Sequence, residues 1–363
     1  MQRGKRERTT QLWRFLSLAG PAVCLWLLGC GSSNNTPPPP PPAQTIGHAY
    51  VTTASNLYGN AISAGNGTLT AVNVPSTAGG GTGIASNGQG NYVYVLTSNG
   101  MISGYSISHT DGSLATIAGS PFGGAGVSVA FLTMDAAGKY LFVPGSQDSV
   151  VVPYTIGATG ALTLGLEVPT PAPPLAATVD PMDRFLYVPM GSTGTQLFQI
   201  AGSGALTSVK TIPPLGQAAV FVAINPAGTF AYISDGLLGI AAYSINTTTG
   251  DLTPIASTIY PAGVGPAWLS ITPNGKFLYA ANNTSIVAFS INADGSLTTI
   301  GTPITTTNNP FQMSIDSTGA FLYVVATNIR VVGVFNINES NGVLSAEPGV
   351  TFPANPTGIV TTP

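Results

Sequence analysis

Residues 266–298 read PAWLSITPNGKFLYAANNTSIVAFSINADGSLT, and they are the clearest copy of a unit that occurs seven times. Two landmarks define the unit: an aromatic-rich run, here Phe277-Leu-Tyr279, and a turn leading into a short run, here Asp294-Gly-Ser-Leu-Thr298. The second aromatic recurs every 44 to 48 residues, at Tyr50, Tyr94, Phe142, Tyr187, Tyr232, Tyr279 and Tyr323. A period of this length indicates a solenoid, a propeller or an array of repeats.

The composition of the unit decides among these architectures. Val, Ile, Thr, Tyr and Phe dominate, with Gly and Asn at the breaks, which is typical of strands and hairpins. We predict four strands per unit and name them a to d; in the copy above they cover Trp268–Thr272, Phe277–Ala281, Ser285–Ile291 and Ser296 to about Thr302. Four antiparallel strands repeated radially form a blade, so the predicted fold class is all-β, a seven-bladed β-propeller.

The two ends of the repeat region complement each other. Residues 356–363 (PTGIVTTP) match residues 266–273 (PAWLSITP), so the chain finishes with a strand a that has no strand b after it. The first unit opens at Ile46 with a strand b that has no strand a before it. We therefore predict that the C-terminal strand completes the first blade, which removes an open sheet edge.

The segment before the repeats has a different character. Residues 1–29 combine a basic start with an apolar run from Phe15 to Leu28, and this pattern is typical of a signal peptide. The run ends in Leu27-Leu28-Gly29-Cys30, which resembles the bacterial lipobox and predicts acylation of Cys30; the alternative is a plain secretory signal. Residues 30–45, with six consecutive prolines, form a predicted tether, or a disordered linker with the same consequence.

The domain assignment is therefore a lipoprotein signal peptide over 1–29, an acylated tether over 30–45 and a propeller over 46–363. We expect an exported protein, anchored to a bacterial membrane on its periplasmic or cell-surface side. Without residues 1–29 the chain keeps five basic against twelve acidic side chains, a net charge of −7. This charge argues against nucleic acid as a partner. We expect a monomer.

Loops b–c and d–a of a propeller meet around one mouth of the central channel, where loops from several blades can converge on a ligand. Few charged residues belong to this face. Asp148 and Asp235 in b–c loops are candidate catalytic bases, and Arg330 is a candidate for polarising or positioning a carbonyl group. Asn283 is a candidate ligand-binding residue in the same kind of loop. The alternative interpretation is that these are solvated loop residues.

Strand a begins near the same mouth. At the position of Trp268, other units have Phe131, Phe221 and Gln312. These side chains could surround the channel and stack on a sugar ring, or they could pack between blades. His48 and His109 do not suit catalysis, since one lies within strand b and the other beside a c–d turn. The sequence contains no metal-ligand cluster and no phosphate-binding loop, so no metal and no cofactor is predicted.

The strings Phe-Leu-Tyr-Val/Ala and Asp-Gly-x-Leu-Thr, and Tyr279-Ala-Ala-Asn282, resemble the seven-bladed lactonase propellers over residues 46–363. That family includes enzymes of the 6-phosphogluconolactonase type, and related YVTN-repeat propellers have no known catalysis. The resemblance implies hydrolysis of a sugar-type lactone by polar groups at the channel mouth. A second hypothesis is a non-catalytic propeller that binds a carbohydrate or an envelope protein. A phosphorylated substrate would need more positive charge than Arg330 supplies.

Overall fold

A computed structural model describes residues 44–75, 81–97, 99–123, 131–255, 259–306, 309–326 and 328–363. The signal peptide, Cys30 and almost all of the tether lie outside these residues. The described residues form 29 β-strands in seven sheets and contain no α-helix. Accordingly, this part of the chain has no helix of the length and apolar character that crossing a membrane requires. The sheets are the seven predicted blades, and four antiparallel strands run through each.

Consecutive strands of the chain build consecutive blades. Blade 1 contains β1 (Thr45–Thr53), β2 (Leu57–Ser63) and β3 (Leu69–Val72), and blade 2 contains β4 (Gly81–Ser86), β5 (Tyr92–Thr97), β6 (Ile102–Ile107) and β7 (Leu114–Thr116). Blade 3 contains β8 (Thr133–Met134), β9 (Tyr140–Gly145), β10 (Val150–Ile156), β11 (Leu162–Leu164) and β12 (Val168–Pro169). Blade 4 contains β13 (Thr178–Val179), β14 (Phe185–Pro189), β15 (Thr195–Ile200) and β16 (Leu206–Ile212). Blade 5 contains β17 (Ala219–Ile224), β18 (Phe230–Asp235), β19 (Gly239–Ile245) and β20 (Leu252–Pro254). Blade 6 contains β21 (Trp268–Ile271), β22 (Phe277–Ala281), β23 (Ser285–Ile291) and β24 (Leu297–Thr305). Blade 7 contains β25 (Pro310–Ile315), β26 (Phe321–Ala326), β27 (Val331–Ile337) and β28 (Leu344–Thr351), and the final strand is β29 (Pro356–Thr362).

The final strand closes the ring as predicted. Strand β29 pairs antiparallel with β1, with His48 opposite Thr362 and Val51 opposite Ile359. The sheet of blade 1 therefore has the order β29-β1-β2-β3, in which the C-terminal strand occupies the position of strand a. Ser314 and Thr361 join this strand to blade 7 through hydroxyl groups 2.8 Å apart. Pairing the two ends of the chain covers the edge of β1 that would otherwise be open.

The two sequence landmarks contact each other across neighbouring blades. Tyr187 in blade 4 donates its hydroxyl proton to the carbonyl oxygen of Gly250 in the c–d turn of blade 5, at 2.7 Å. Six of the seven units repeat this bond, at 2.6 to 3.0 Å; the pairs are Tyr50–Gly112, Tyr94–Gly160, Tyr187–Gly250, Tyr232–Gly295, Tyr279–Gly342 and Tyr323–Gly67. Burial raises the pKa of each of these tyrosines above its ordinary value, so each stays a protonated donor.

The same turn glycine is covered by a ring from the preceding blade. A Cβ atom at Gly250 would lie 2.7 Å from the ring of Phe185, and the backbone there has a φ of +77°. Only glycine meets both requirements, because it has no Cβ and tolerates positive φ. The other six turns have the same arrangement, and in blade 1 the ring is the imidazole of His48 against Gly112. We call this tyrosine, ring and glycine contact the blade latch.

Blade 3 departs from the pattern in two ways. Its landmark residue is Phe142, so the latch hydroxyl is missing, and Tyr140 instead donates to the carbonyl oxygen of Gly202 at 2.6 Å. Its outer strand is interrupted between β11 and β12, opposite Pro153. Gly165 still donates its N–H to the carbonyl oxygen of Pro153 at 2.8 Å, whereas Pro153 has no N–H to donate, and the register of the outer strand shifts over residues 165–167.

Candidate functional site

A channel runs along the axis of the propeller, lined by strand a of every blade. Its free volume is about 240 Å³. The polar groups on its wall are hydroxyls and one amide, from Ser86, Thr133, Thr178, Ser314 and Gln312. Within the described part of the chain, no charged side chain lines the channel. Such a wall suits a neutral ligand, because a charge inside it would lose its hydration without gaining a counterion.

Aromatic rings meet at the end of the channel where strand a begins. Phe221 of blade 5 stacks on Trp268 of blade 6 with ring centroids 4.1 Å apart, and Phe131 of blade 3 lies 5.5 Å from Trp268. Phe131 also stacks on Phe311 of blade 7, at 5.8 Å. All four side chains are half-buried. Blade 3 is not next to blades 6 or 7, so these contacts span the channel rather than a single blade interface.

Three of these four aromatics are the predicted ones, and Phe311 was not predicted. A β-bulge between Pro310 and Gln312 shifts the pairing of β25 with β26, and Phe311 is the extra residue. A bulge changes the direction of a side chain without an obvious mark in the alternation of the sequence. In the sequence, Phe311 could have been found only as an aromatic residue directly before Gln312, the equivalent of Trp268 in blade 7.

Gln312, predicted to bind ligand, is engaged within the protein. Its side chain is 5% exposed. Its amide nitrogen donates to the carbonyl oxygen of Ile359 at 3.2 Å, and its amide oxygen accepts from the N–H of Ile359 at 3.3 Å. The amide thus acts like one more strand residue and joins blade 7 to the closing strand β29. Any hydrogen bond between the Gln312 amide and a ligand would have to compete with these two bonds.

Asp235, a predicted base, ends strand β18 and is 3% exposed. One carboxylate oxygen accepts from the N–H groups of Leu237 and Leu238, at 3.0 and 2.9 Å. The other oxygen accepts from the N–H groups of Gln217 and of Ala218, the latter at 2.8 Å. Burial by itself raises the pKa of Asp235, but the four N–H groups outweigh it and hold the pKa below its ordinary value. The carboxylate therefore holds the d–a and b–c loops of blade 5 together and is poorly suited to accept a proton.

The predicted catalytic residues belong to three different blades. Asp148 lies in the b–c loop of blade 3, Asp235 in blade 5 and Arg330 in blade 7, so none of them occupy neighbouring blades. Asp148, Arg330 and Asn283 are exposed. The ion pairs found among the described residues are Asp180–Arg184 and Asp251–Lys210, and neither includes Arg330.

The acidic residues at the opposite end of the channel hold turns. Asp180, for example, is 1% exposed. It accepts the N–H of Phe185 at 2.8 Å and binds the guanidinium of Arg184. Asp135, Asn225 and Asp316 accept the equivalent N–H groups of their own turns. These bonds reach the first residues of strand b, five residues along the chain. In the described residues no three His, Cys, Asp or Glu side chains are grouped so as to hold a metal ion.

Comparison with known proteins agrees with this architecture. The family model of the lactonase 7-bladed beta-propeller matches residues 45–355. This chain is a member of that family. A 6-phosphogluconolactonase of Serratia proteamaculans is 28% identical over 269 residues, covering 70% of this chain and 79% of the relative. A 6-phosphogluconolactonase of Pectobacterium carotovorum is 26% identical over 248 residues, covering 65% and 72%.

Solved structures of similar fold include other propellers. The periplasmic gluconolactonase of Pseudomonas aeruginosa superposes with a TM-score of 0.73 at 18% identity, covering 87% of this lactonase-family chain and 98% of that protein. A protein from Lactobacillus plantarum superposes with a TM-score of 0.73 at 21% identity, covering 87% and 99%. At these identities the likeness concerns the fold.

Proposed function

We propose that this lactonase-family propeller binds a sugar-type lactone at the aromatic end of its channel and hydrolyses it. The observation that carries the proposal is the aromatic group of Phe131, Phe221, Trp268 and Phe311 over a channel lined by hydroxyls. Aromatic faces pack against the apolar face of a sugar ring, and hydroxyls bond its substituents. Family membership and the names of the relatives support a lactone as the ligand.

For the chemical step we propose Asp148 as the base that activates water. It is exposed, whereas both oxygens of Asp235 are occupied by backbone N–H groups. Arg330 is the one basic residue in the b–c loops, and it would position the lactone carbonyl. Asp148 and Arg330 lie on different blades, so this step requires both side chains to meet at one lactone carbonyl group at the mouth of the channel.

The test is hydrolysis of gluconolactone, 6-phosphogluconolactone and δ-valerolactone by the purified full-length protein. We expect turnover of the neutral lactones above the buffer rate and a strong loss in Asp148→Asn or Arg330→Ala. Glu167→Gln, an exposed carboxylate on the outer strand of blade 3, is the matched control and should keep full activity. Folded protein without turnover of any lactone would contradict the proposed hydrolysis.

One observation favours a second function, namely the absence of charged groups from the described channel wall. A non-catalytic propeller that binds a carbohydrate or an envelope protein needs no base and no carbonyl-polarising group. Calorimetry separates the two functions: binding of a neutral sugar or lactone without turnover, weakened by Trp268→Ala, would assign the protein to ligand binding.

We also propose that the protein is exported and anchored to a bacterial membrane through acylated Cys30, with residues 31–45 as the tether. The support is the sequence Leu27-Leu28-Gly29-Cys30 at the end of the apolar run. Expression in a bacterium fed labelled palmitate should label the native protein and leave Cys30→Ser unlabelled. An unlabelled native protein in the soluble periplasmic fraction would support the plain secretory signal instead.

A further inference from the structure

Blades 5 and 6 share a loop arrangement that the proposed function does not yet use. In blade 5, Asp235 binds both the d–a loop and the b–c loop, as described above. In blade 6 the equivalent residue is Asn282, which is fully buried. Its amide nitrogen donates to the carbonyl oxygen of Ala262 at 2.8 Å, and its amide oxygen accepts from Ser285 N–H at 2.9 Å. One buried polar side chain thus fixes two loops at the mouth in each blade.

These fixed loops hold aliphatic side chains out in solvent. Leu237 is 56% exposed, Leu238 is 47% exposed and Val264 is 71% exposed. Leu237 and Leu238 donate their N–H groups to Asp235, and the carbonyl oxygen of Val264 accepts from the N–H of Asn283 at 3.4 Å. Buried hydrogen bonds hold these loops in place, so their exposed aliphatic residues form a preorganised apolar surface. Such surfaces are typical of binding sites.

This surface belongs to the same blades as the aromatic mouth, and Gly236, next to Leu237, donates its N–H to the carbonyl oxygen of Ala218 at 3.0 Å. The loop bonded to Asp235 ends at Ala218, and Phe221 follows three residues later, about 10 Å along an extended strand. Val264 precedes Trp268 by four residues, so the two lie within about 14 Å. Phe221 and Trp268 form the tightest ring pair of the mouth, with centroids 4.1 Å apart. The apolar loops therefore belong to blades 5 and 6, the same two blades that supply this stacked pair.

We infer that the ligand carries an apolar substituent, which lies on Leu237, Leu238 and Val264 while its neutral ring occupies the aromatic mouth. The inference rests on the proposed function and narrows its substrate class to uncharged lactones with an alkyl or aryl group. The loops of blades 5 and 6 bring no basic residue to this surface, since Arg330 belongs to blade 7. A phosphate in place of the apolar group would find no counterion there.

The experiment compares KM for δ-valerolactone, δ-decalactone and δ-dodecalactone, which share one ring and differ in the alkyl tail. Full burial of a methylene strengthens binding by about fourfold, so we expect KM to fall with each tail extension by up to that factor per methylene. Leu237→Ser combined with Leu238→Ser should flatten this dependence and leave KM for δ-valerolactone unchanged. Leu166→Ser removes a leucine that is 87% exposed on the outer strand of blade 3, and it should behave like the native protein.

The outcomes separate the two proposals. Turnover with a KM independent of tail length, or a tail dependence that the double variant retains, would overturn the apolar substituent and leave lactone hydrolysis intact. No turnover of any of the three lactones, nor of gluconolactone, would instead overturn the proposed function. If the double variant alters only self-association or binding to lipid vesicles, the surface serves another partner and the inference fails.

Discussion

The two ends of the propeller are built differently. At the end that carries the a–b and c–d turns, the latch repeats around the whole ring, with a ring over every turn glycine and six tyrosine hydroxyls on glycine carbonyls. At the end that carries the b–c and d–a loops, the blades use different residues. Blade 5 holds its loops with Asp235 and blade 6 with Asn282, and a bulge that begins strand a contains Thr82 in blade 2, Val220 in blade 5 and Phe311 in blade 7. The end with the repeated latch stabilises the ring, and the candidate site lies at the end where the residues vary from blade to blade.

The largest effect is expected where the latch tolerates no side chain. Gly250→Ala places a Cβ 2.7 Å from the Phe185 ring at a φ of +77°. We expect the free energy of unfolding to fall by about 2 to 4 kcal/mol, from the left-handed conformation and the overpacking together. Urea unfolding measures this. Gly202→Ala is the control, since a Cβ there meets nothing within 4 Å; equal losses in both variants would contradict the latch.

The second largest effect on stability is expected at the end of the propeller that carries the b–c and d–a loops. Asp235→Asn replaces a carboxylate that accepts four N–H groups by an amide whose nitrogen faces two of those donors. We expect a loss of about 2 to 3 kcal/mol in the free energy of unfolding. The exposed Asp148→Asn should change stability by less than about 0.5 kcal/mol. If Asp235→Asn keeps native stability and loses only turnover, Asp235 is a catalytic group and not a loop-holding one.

A smaller effect is expected from the latch hydroxyl alone. Tyr187→Phe leaves the ring in place and removes the donor to Gly250, so we expect a loss of about 1 kcal/mol. Tyr140→Phe in blade 3 should cost less, because its bond to Gly202 is exposed to water. Urea unfolding of both variants makes the comparison, and a larger loss at Tyr140 would show that the buried hydroxyl is not what stabilises the latch.

The smallest effect is a pH dependence confined to blade 1, where the latch ring is His48. Burial lowers the pKa of His48, against opposing contributions from the Pro363 backbone and the Asp111 carboxylate. The unfolded imidazole, with a pKa of about 6.5, therefore binds its proton first. Stability is fully present above that pKa and falls as the pH drops below it towards the lowered folded value.

Urea midpoints at several pH values should show this loss in the native protein and not in His48→Phe. His109→Gln, a variant of the exposed histidine on the c–d turn of blade 2, is measured beside it, and a pH dependence retained in that variant assigns the effect to His48. Identical pH profiles in the native protein and His48→Phe would show that the blade 1 latch does not titrate.

Local patterns in the amino-acid sequence were sufficient to predict the fold, because every blade obeys the same local rules. The predicted bounds of strands b and c in blade 6, Phe277–Ala281 and Ser285–Ile291, match the observed strands, and the closing strand β29 (Pro356–Thr362) lies within the predicted stretch 356–363. Strand d was predicted from Ser296 to about Thr302 and runs from Leu297 to Thr305. The outer strand is harder to delimit, since only one of its edges is paired.

Contacts between residues far apart in the chain could not be predicted in this way. The latch joins residues about 63 positions apart and belongs to two blades, so no single repeat reveals it. Phe131 reaches Trp268 across the channel because ring closure brings their blades face to face. Asp235 is indistinguishable from an exposed loop acid in sequence; its character comes from four N–H groups contributed by two separate loops. Hydrogen bonds and burial between distant segments depend on the assembled ring, whereas strand periodicity and turn chemistry are local.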